Sequence, residues 1–398
     1  MEVRGTGTEN QPMAVTAESR STAAEKFHPP HTEHLPRCER LLVVVYGHLS
    51  DTMAATPALR SLRAALPAAR IDVLALTCAH PILQGCPYVD SVIEWNDFRR
   101  KGAPAARLEK AAVIAALGAR LRRRGYDATL VLHNGTGAMR RLARMVGSPV
   151  RAGLSTGEDG YTHPSPPASA AESAREENSR ILAAFGVQDD GGPVDLWTGP
   201  EDRSAARRLT GGGEGPLVGI HAGADWSCQQ WLPERFAEVA STLQAETGAR
   251  IVLTGSSSES WLEEEIAEGM DRPPIRAVGR TTFGELVEVI RGLDLLICVS
   301  SAASSVAAVT GTPSIVLLGP EDGRFTGMAP SPRRKVLQPG GARLAGSWCP
   351  LSRWGVLSGC ESPACRGVGG LAELEPGTVI GAALELLGSP VVQRAHAG

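Results

Sequence analysis

"RLLVVVYGHLSDTMAATPALRSLRAALPAARIDVLAL", from Arg40 to Leu76, decides the fold. The unbroken apolar run of "RLLVVVYG" reads as a strand buried on both faces of a sheet. "TPALRSLRAALP" carries apolar residues at helical spacing, and "IDVLAL" is a second buried run. Strand, helix and strand in that order form a unit whose helix crosses over between two parallel strands.

The same alternation runs outward from this unit. "AAVIAALGARLRRRGY" predicts a helix that leads into the strand "DATLVLH", and the Gly-, Pro- and Ser-rich "GEDGYTHPSPPASAAESAREE" (Gly157 to Glu177) predicts a loop before the helix "NSRILAAFGV". After the breaker "LTGGGEGP" the alternation restarts with "LVGIHAG", "ERFAEVASTLQAETG", "RIVLTGS", "SWLEEEIAEGM", "FGELVEVIRGLD", "LLICVSS", "VAAVTG" and "SIVLLGP". A chain of 398 residues exceeds the usual size of one core. The expected fold is therefore α/β, with two doubly wound Rossmann-like domains facing across a cleft. The expected units are a tail over 1–39, domains over 40–200 and 201–387, and a second tail over 388–398. Ligands of such sheets bind beyond the carboxyl ends of the strands. The closing helix "PGTVIGAALELL" is expected to pack back across the structure.

Composition narrows the function classes. A formal net charge of -3 carries no basic bias of the kind nucleic-acid binders show. No run approaches the roughly 20 apolar residues of a membrane span, and the polar Met1 to Glu39 segment has no apolar core of signal-peptide length. A cytoplasmic protein without an integral membrane segment is expected. The eight cysteines are scattered, and Cys78, Cys86, Cys228 and Cys298 lie in or beside apolar runs, where a thiol acts as a small hydrophobe. Cys349, Cys360 and Cys365 lack the paired spacing of structural zinc sites.

Candidate chemistry sits where strands give way to helices. Asp51, between Ser50 and Thr52, reads either as a helix N-cap or as a general base at the cleft mouth, and His48 is an alternative base. "HNGTGAMRR" brings His133, Asn134 and Arg140 to the end of another strand, where they would grip an anionic acceptor or simply start a helix. In the second half Gly223 follows a strand, and Glu259 follows another, where a solvated helix-start acid is one reading. Trp226 and Trp231 read most simply as core.

"LSDTMAATPAL", "YVDSVIEW", "VGIHAGADWSCQQWLPERFAEVASTL", "VGRTTFGELVEVIRGLDLLIC" and "TGTPSIVLLGP" together, in this order and spacing, resemble the bacterial ADP-heptose lipopolysaccharide heptosyltransferases, a GT-B family. The resemblance covers most of the chain from Arg40 to about Leu387. It implies that Asp51 is the catalytic base, that Glu259 contacts the donor ribose, and that the donor is a nucleoside-diphosphate sugar, ADP- or GDP-linked, with no further cofactor. The acceptor would be a small molecule or a glycolipid. One displacement at the anomeric carbon would invert its configuration. No metal is required if the protein stabilises the departing diphosphate, and no D-x-D carboxylate pair is convincingly placed to hold one.

The sequence departs from the family at that diphosphate. The lysine of K-x-W-P is Gln229, and the turn D-[ST]-G-x-x-H-L is Ser300, Ser301, Ala302, Ala303, Ser304, Ser305 and Val306. A helix N-terminus after a strand remains an anion site, to which the four serine hydroxyls would add neutral hydrogen bonds, and Arg280 and Arg324 are candidate replacement cations. Three readings stay open: the same chemistry with recruited basic groups, a different donor in specialised-metabolite (antibiotic) biosynthesis, or a degenerate member that binds or scaffolds.

Overall fold

The computed structural model describes residues 38–47, 49–95, 104–133, 137–155, 160–166, 173–224, 229–319, 331–339 and 371–388. The His48, Asn134, Trp226, Arg324, Cys228, Cys349, Cys360 and Cys365 expectations lie outside them.

The first sheet is built from β1 (Arg40–Val45), β2 (Arg70–Leu76), β3 (Ser91–Trp95), β4 (Ala128–Leu132), β5 (Val150–Leu154) and β6 (His163–Ser165). All its pairings are parallel, in the order β3-β2-β1-β4-β5-β6. The central strands are apolar on both faces because helices cover both: α1 (Leu49–Ala65), α2 (His80–Leu83), α3 (Pro104–Arg122), α4 (Gly137–Val146) and α5 (Ala174–Phe185).

The second sheet repeats the plan with β7 (Leu217–His221), β8 (Arg250–Leu253), β9 (Ile275–Arg276), β10 (Leu295–Val299), β11 (Ser314–Leu317) and β12 (Arg334–Leu337), ordered β12-β11-β10-β7-β8-β9. Read from β9, that is the same 3-2-1-4-5-6 order, the doubly wound arrangement of dinucleotide-binding folds. Its helices are α6 (Pro200–Thr210), α7 (Pro233–Thr247), α8 (Ser260–Glu268), α9 (Phe283–Arg291), α10 (Ala302–Thr310) and α11 (Pro376–Leu387).

Three expectations are corrected. The segment read as a loop from Gly157 to Glu177 contains β6 and the first residues of α5, because Ser173 and Glu176 close a capping box there. α11 does not cross the structure: it packs on α7, β10 and β11, with Val379, Ala383 and Leu386 in the core of the second sheet. Cys78 is exposed, whereas Cys86 and Cys298 are buried as expected.

α1 carries a proline in its interior, Pro57, which removes the N–H that would bond the Met53 carbonyl. The Thr56 hydroxyl donates to that carbonyl instead, at 2.9 Å, and accepts from the Asp195 N–H at 2.9 Å. One side chain thus repairs the helix and ties it to residues 186–199, which join the two sheets. Arg60, one helical turn beyond Thr56, reinforces the tie with ion pairs to Asp190 and Asp195.

The two halves also meet directly. Met53 of α1 and Ile82 of α2 are buried in an apolar cluster made mainly by one face of the second sheet with α9 and α10, including Ala303 and Val306. The start of α1 is therefore docked against the start of α10.

Candidate functional site

In a doubly wound sheet the crevice opens where strand order reverses, because the connections from the two central strands leave in opposite directions. Here that point lies between β1 and β4 in the first sheet and between β7 and β10 in the second. Candidates from both halves lie at these two points. Asp51 follows β1 and His133 follows β4; His221 ends β7 and Ser300 follows β10.

Asp51 is the third residue of α1, in its first turn, rather than the N-cap. Its carboxylate folds back over Gly47, where an added Cβ would lie 2.3 Å from Oδ2. Its other oxygen, Oδ1, is 3.3 Å from Nε2 of His133. On the opposite edge of that ring, Nδ1 is hydrogen-bonded to Oε2 of Glu177, which is 7% exposed in the first turn of α5. Burial works against charging His133, but Asp51 and then Glu177 outweigh it, and the ring is pushed up to about 10. At neutral pH it is an imidazolium that donates from both nitrogens.

The His133 backbone carries a second sign of constraint. Its φ of 37° makes it the one non-glycine residue with positive φ among the described residues. Such a conformation costs on the order of 1–3 kcal/mol and persists where the surroundings fix it. With both nitrogens facing protein carboxylates, His133 is not disposed to grip an acceptor. Arg140 lies half-buried one turn into α4. Sequence reasoning missed Glu177 because it fell inside the presumed loop; the Ser173-x-x-Glu176 box was the signal that a helix begins there.

On the second sheet, Glu259 ends a short turn after β8 and accepts from the N–H and hydroxyl of Ser256 at 2.6 and 2.8 Å. It lies over Gly223, whose missing Cβ leaves the space: one added there would come within 1.7 Å of Oε1. The carboxylate is thus both turn cap and wall of a small pocket shared with Ala222, Gly223, Thr254 and Val278. The buried His221, at the end of β7, is pushed down by desolvation, which Glu259 partly opposes. The Thr254 hydroxyl lies 3.1 Å from Nδ1 of His221 and 3.3 Å from the Ile220 carbonyl. Trp231 is core, 2% exposed, with its indole N–H donated to the Leu374 carbonyl at 3.1 Å.

The four serines of the α10 turn are not equivalent. Ser304 is fully buried; its hydroxyl accepts from the Ser301 N–H at 3.3 Å and donates to the Ser301 carbonyl at 2.5 Å. It closes the first turn of the helix and is not free for a ligand. Ser301, the N-cap residue, has a buried hydroxyl with no partner, while Ser300 and Ser305 are half-buried. Gln229 is half-buried shortly before α7. Arg280 is exposed between β9 and α9, one residue beyond Gly279, whose N–H bonds the Gly255 carbonyl beside the Glu259 turn at 2.9 Å; it also borders a hollow with Arg208 and Leu209 of α6. Among the described residues no group of three or more His, Cys, Asp or Glu side chains is disposed to hold a metal ion.

Two such sheets with facing switch points form a GT-B architecture. The solved structures it is similar to have that fold: a glycosyl transferase family 9 protein from Veillonella parvula superposes with a TM-score of 0.70 at 22% identity, over 88% of this chain and 97% of that one. The ADP-heptose heptosyltransferase II of E. coli superposes with a TM-score of 0.64 at 22% identity, over 87% and 98%.

Residues 114–339, more than half of the chain, match the model of glycosyltransferase family 9 (heptosyltransferase), and the chain belongs to that family. Among curated proteins it is similar to lipopolysaccharide heptosyltransferase 3 of Escherichia coli, 29% identical over 287 residues, which are 69% of this chain and 82% of the relative. A shorter match, 26% identical over 119 residues, covers 29% of this chain and 34% of lipooligosaccharide heptosyltransferase 2 of Haemophilus influenzae.

Proposed function

We propose that this glycosyltransferase moves a sugar, a heptose or a related hexose, from a nucleoside-diphosphate donor, ADP- or GDP-linked, to an acceptor hydroxyl with inversion. The observation that supports the reading is the apolar cluster shared by Met53 of α1 with Ala303 and Val306 of α10, which brings the helix that carries Asp51 against the helix that follows the uncharged turn. In this scheme Asp51 takes the proton of the acceptor hydroxyl as its oxygen bonds to the anomeric carbon from the face opposite the donor. The bond from that carbon to the diphosphate oxygen breaks, and the nucleoside diphosphate leaves.

The α10 N-terminus receives the developing diphosphate charge through its free N–H groups, assisted by the hydroxyls of Ser300, Ser301 and Ser305. Glu259 and Gly223 hold the nucleoside. The curated relatives act on lipopolysaccharide or lipooligosaccharide, which supports a glycolipid acceptor. The loss of charge at Gln229 and Ser305 supports a specialised-metabolite acceptor of the antibiotic kind and a donor held less tightly. Among the described residues no helix is long and apolar enough to cross a membrane, in keeping with a cytoplasmic enzyme working on a delivered acceptor.

A screen of the protein against ADP-, GDP-, UDP- and dTDP-sugars, with the anomeric configuration of the product read by NMR, tests this. One donor is expected to bind and to yield the inverted product. Retention of configuration would overturn the single displacement, and binding of none would leave the degenerate scaffold as the reading.

A further inference from the structure

We propose that Glu177 and His133 are positioning residues that hold Asp51 ionised and aimed: a carboxylate–imidazolium–carboxylate relay running from α5 through the end of β4 to α1. This rests on the reading of Asp51 as the base. Three observations converge. The ring spans two carboxylates, one at each nitrogen. The backbone that presents it is held at a φ of 37°. The helix that brings Glu177 is pinned at its start by the Ser173–Glu176 capping box and to α1 by Asn178, whose amide donates to the Ala54 carbonyl at 3.3 Å.

The charge arrangement explains why two acids flank one ring. An imidazolium alone beside Asp51 would withdraw charge from the base and weaken it. Glu177 from α5 neutralises the ring from the far side, so the His133–Glu177 pair is neutral overall and Asp51 keeps its negative charge. The Nε2–H bond to Oδ1 fixes the plane of the carboxylate that takes the acceptor proton. When it does, the cluster passes from a net charge of minus one to zero, the proton rests on Asp51, and both ring hydrogen bonds survive. Among the described residues, Asp51 and Glu177 are the charged groups paired with the ring.

The test is a pH titration of the histidine ring by nitrogen-15 NMR on the full chain, with the signal assigned by its loss in His133→Gln, beside kcat for hydrolysis of ADP-heptose. In the wild type the ring is expected to stay protonated to near pH 10. Glu177→Gln is expected to lower that midpoint by a unit or more, with the fall in thermal midpoint that this loss of folded-state charge stabilisation entails, to move the alkaline limb of kcat with it, and to reduce kcat about tenfold, with ADP affinity unchanged. Glu177→Asp is expected to restore part of the shift.

A wild-type ring that titrates near 6.5, its ordinary value, overturns the relay. So does a Glu177→Gln variant with an unmoved midpoint. If Asp51→Asn abolishes turnover while Glu177→Gln leaves kcat and its limb untouched, the relay falls and the base stands. If Asp51→Asn turns over normally, the base reading falls instead. Should ADP-heptose not be hydrolysed, the ring titration alone decides.

Discussion

The carboxylate of Glu259 rests on Gly223 so closely that a Cβ on the glycine would come within 1.7 Å of Oε1. The same carboxylate accepts two bonds from Ser256, so it cannot move aside without uncapping its own turn. Gly223→Ala is therefore expected to displace Glu259 from the pocket proposed to hold the nucleoside. Losing one hydrogen bond to a charged group, roughly 1.5–3 kcal/mol, corresponds to a tenfold or greater loss of ADP affinity. Calorimetry with ADP reads it, and an unchanged affinity would remove this turn from the donor site.

The α10 turn supplies hydroxyls and a helix N-terminus where the heptosyltransferase pattern has charge. Restoring both cations in Gln229→Lys/Ser305→His is expected to tighten ADP binding. Each charge-assisted bond contributes roughly 1.5–3 kcal/mol against about 1 for a neutral one, so the double variant should gain at least about fivefold. Ser304→Ala, in contrast, is expected to act on stability, because that hydroxyl closes the helix start. An ADP affinity indifferent to the two added cations would place the diphosphate elsewhere.

The connection between the sheets has a pH signature. Asp190 is held down to about 2, chiefly by its hydrogen bond to Arg60, against an ordinary 3.8, with burial opposing. A carboxyl whose folded value is depressed adds stability above its unfolded value, and that stability is lost as pH falls through the folded one. The loss should span the range from 3.8 down to about 2. Arg60→Met is expected to lower the urea midpoint at neutral pH and to shrink the further drop on acidification through that window. Equal acid-induced drops in both proteins would show that this pair does not couple folding to pH.

The sheets were legible where burial on both faces makes apolar runs: β1, β2, β4, β7, β8, β10 and β11 all stand out in sequence. β5, β6, β9 and β12 did not. They lie toward the sheet edges, are two to five residues long, and are partly exposed, so they leave no continuous apolar signal. Asp51 and the α10 turn were found because strand-to-helix junctions are visible in one dimension. The His133–Glu177 contact was not, because it joins residues 44 positions apart and one of them lay in a segment whose Pro and Ser content suggested a loop. The fate of Ser304 was likewise hidden: its chemistry suits a ligand, and only its complete burial shows that it serves the helix instead.

The measurement that bears most directly on the account is the turnover of Asp51→Asn against its ADP affinity, both compared with wild type for whichever donor the nucleotide-sugar screen identifies. Removing a general base typically lowers the rate by roughly 10²–10⁴-fold. The account predicts a loss of kcat in that range with ADP affinity unchanged, because the nucleotide is held by the second sheet. An Asp51→Asn protein that transfers sugar at the wild-type rate would contradict it.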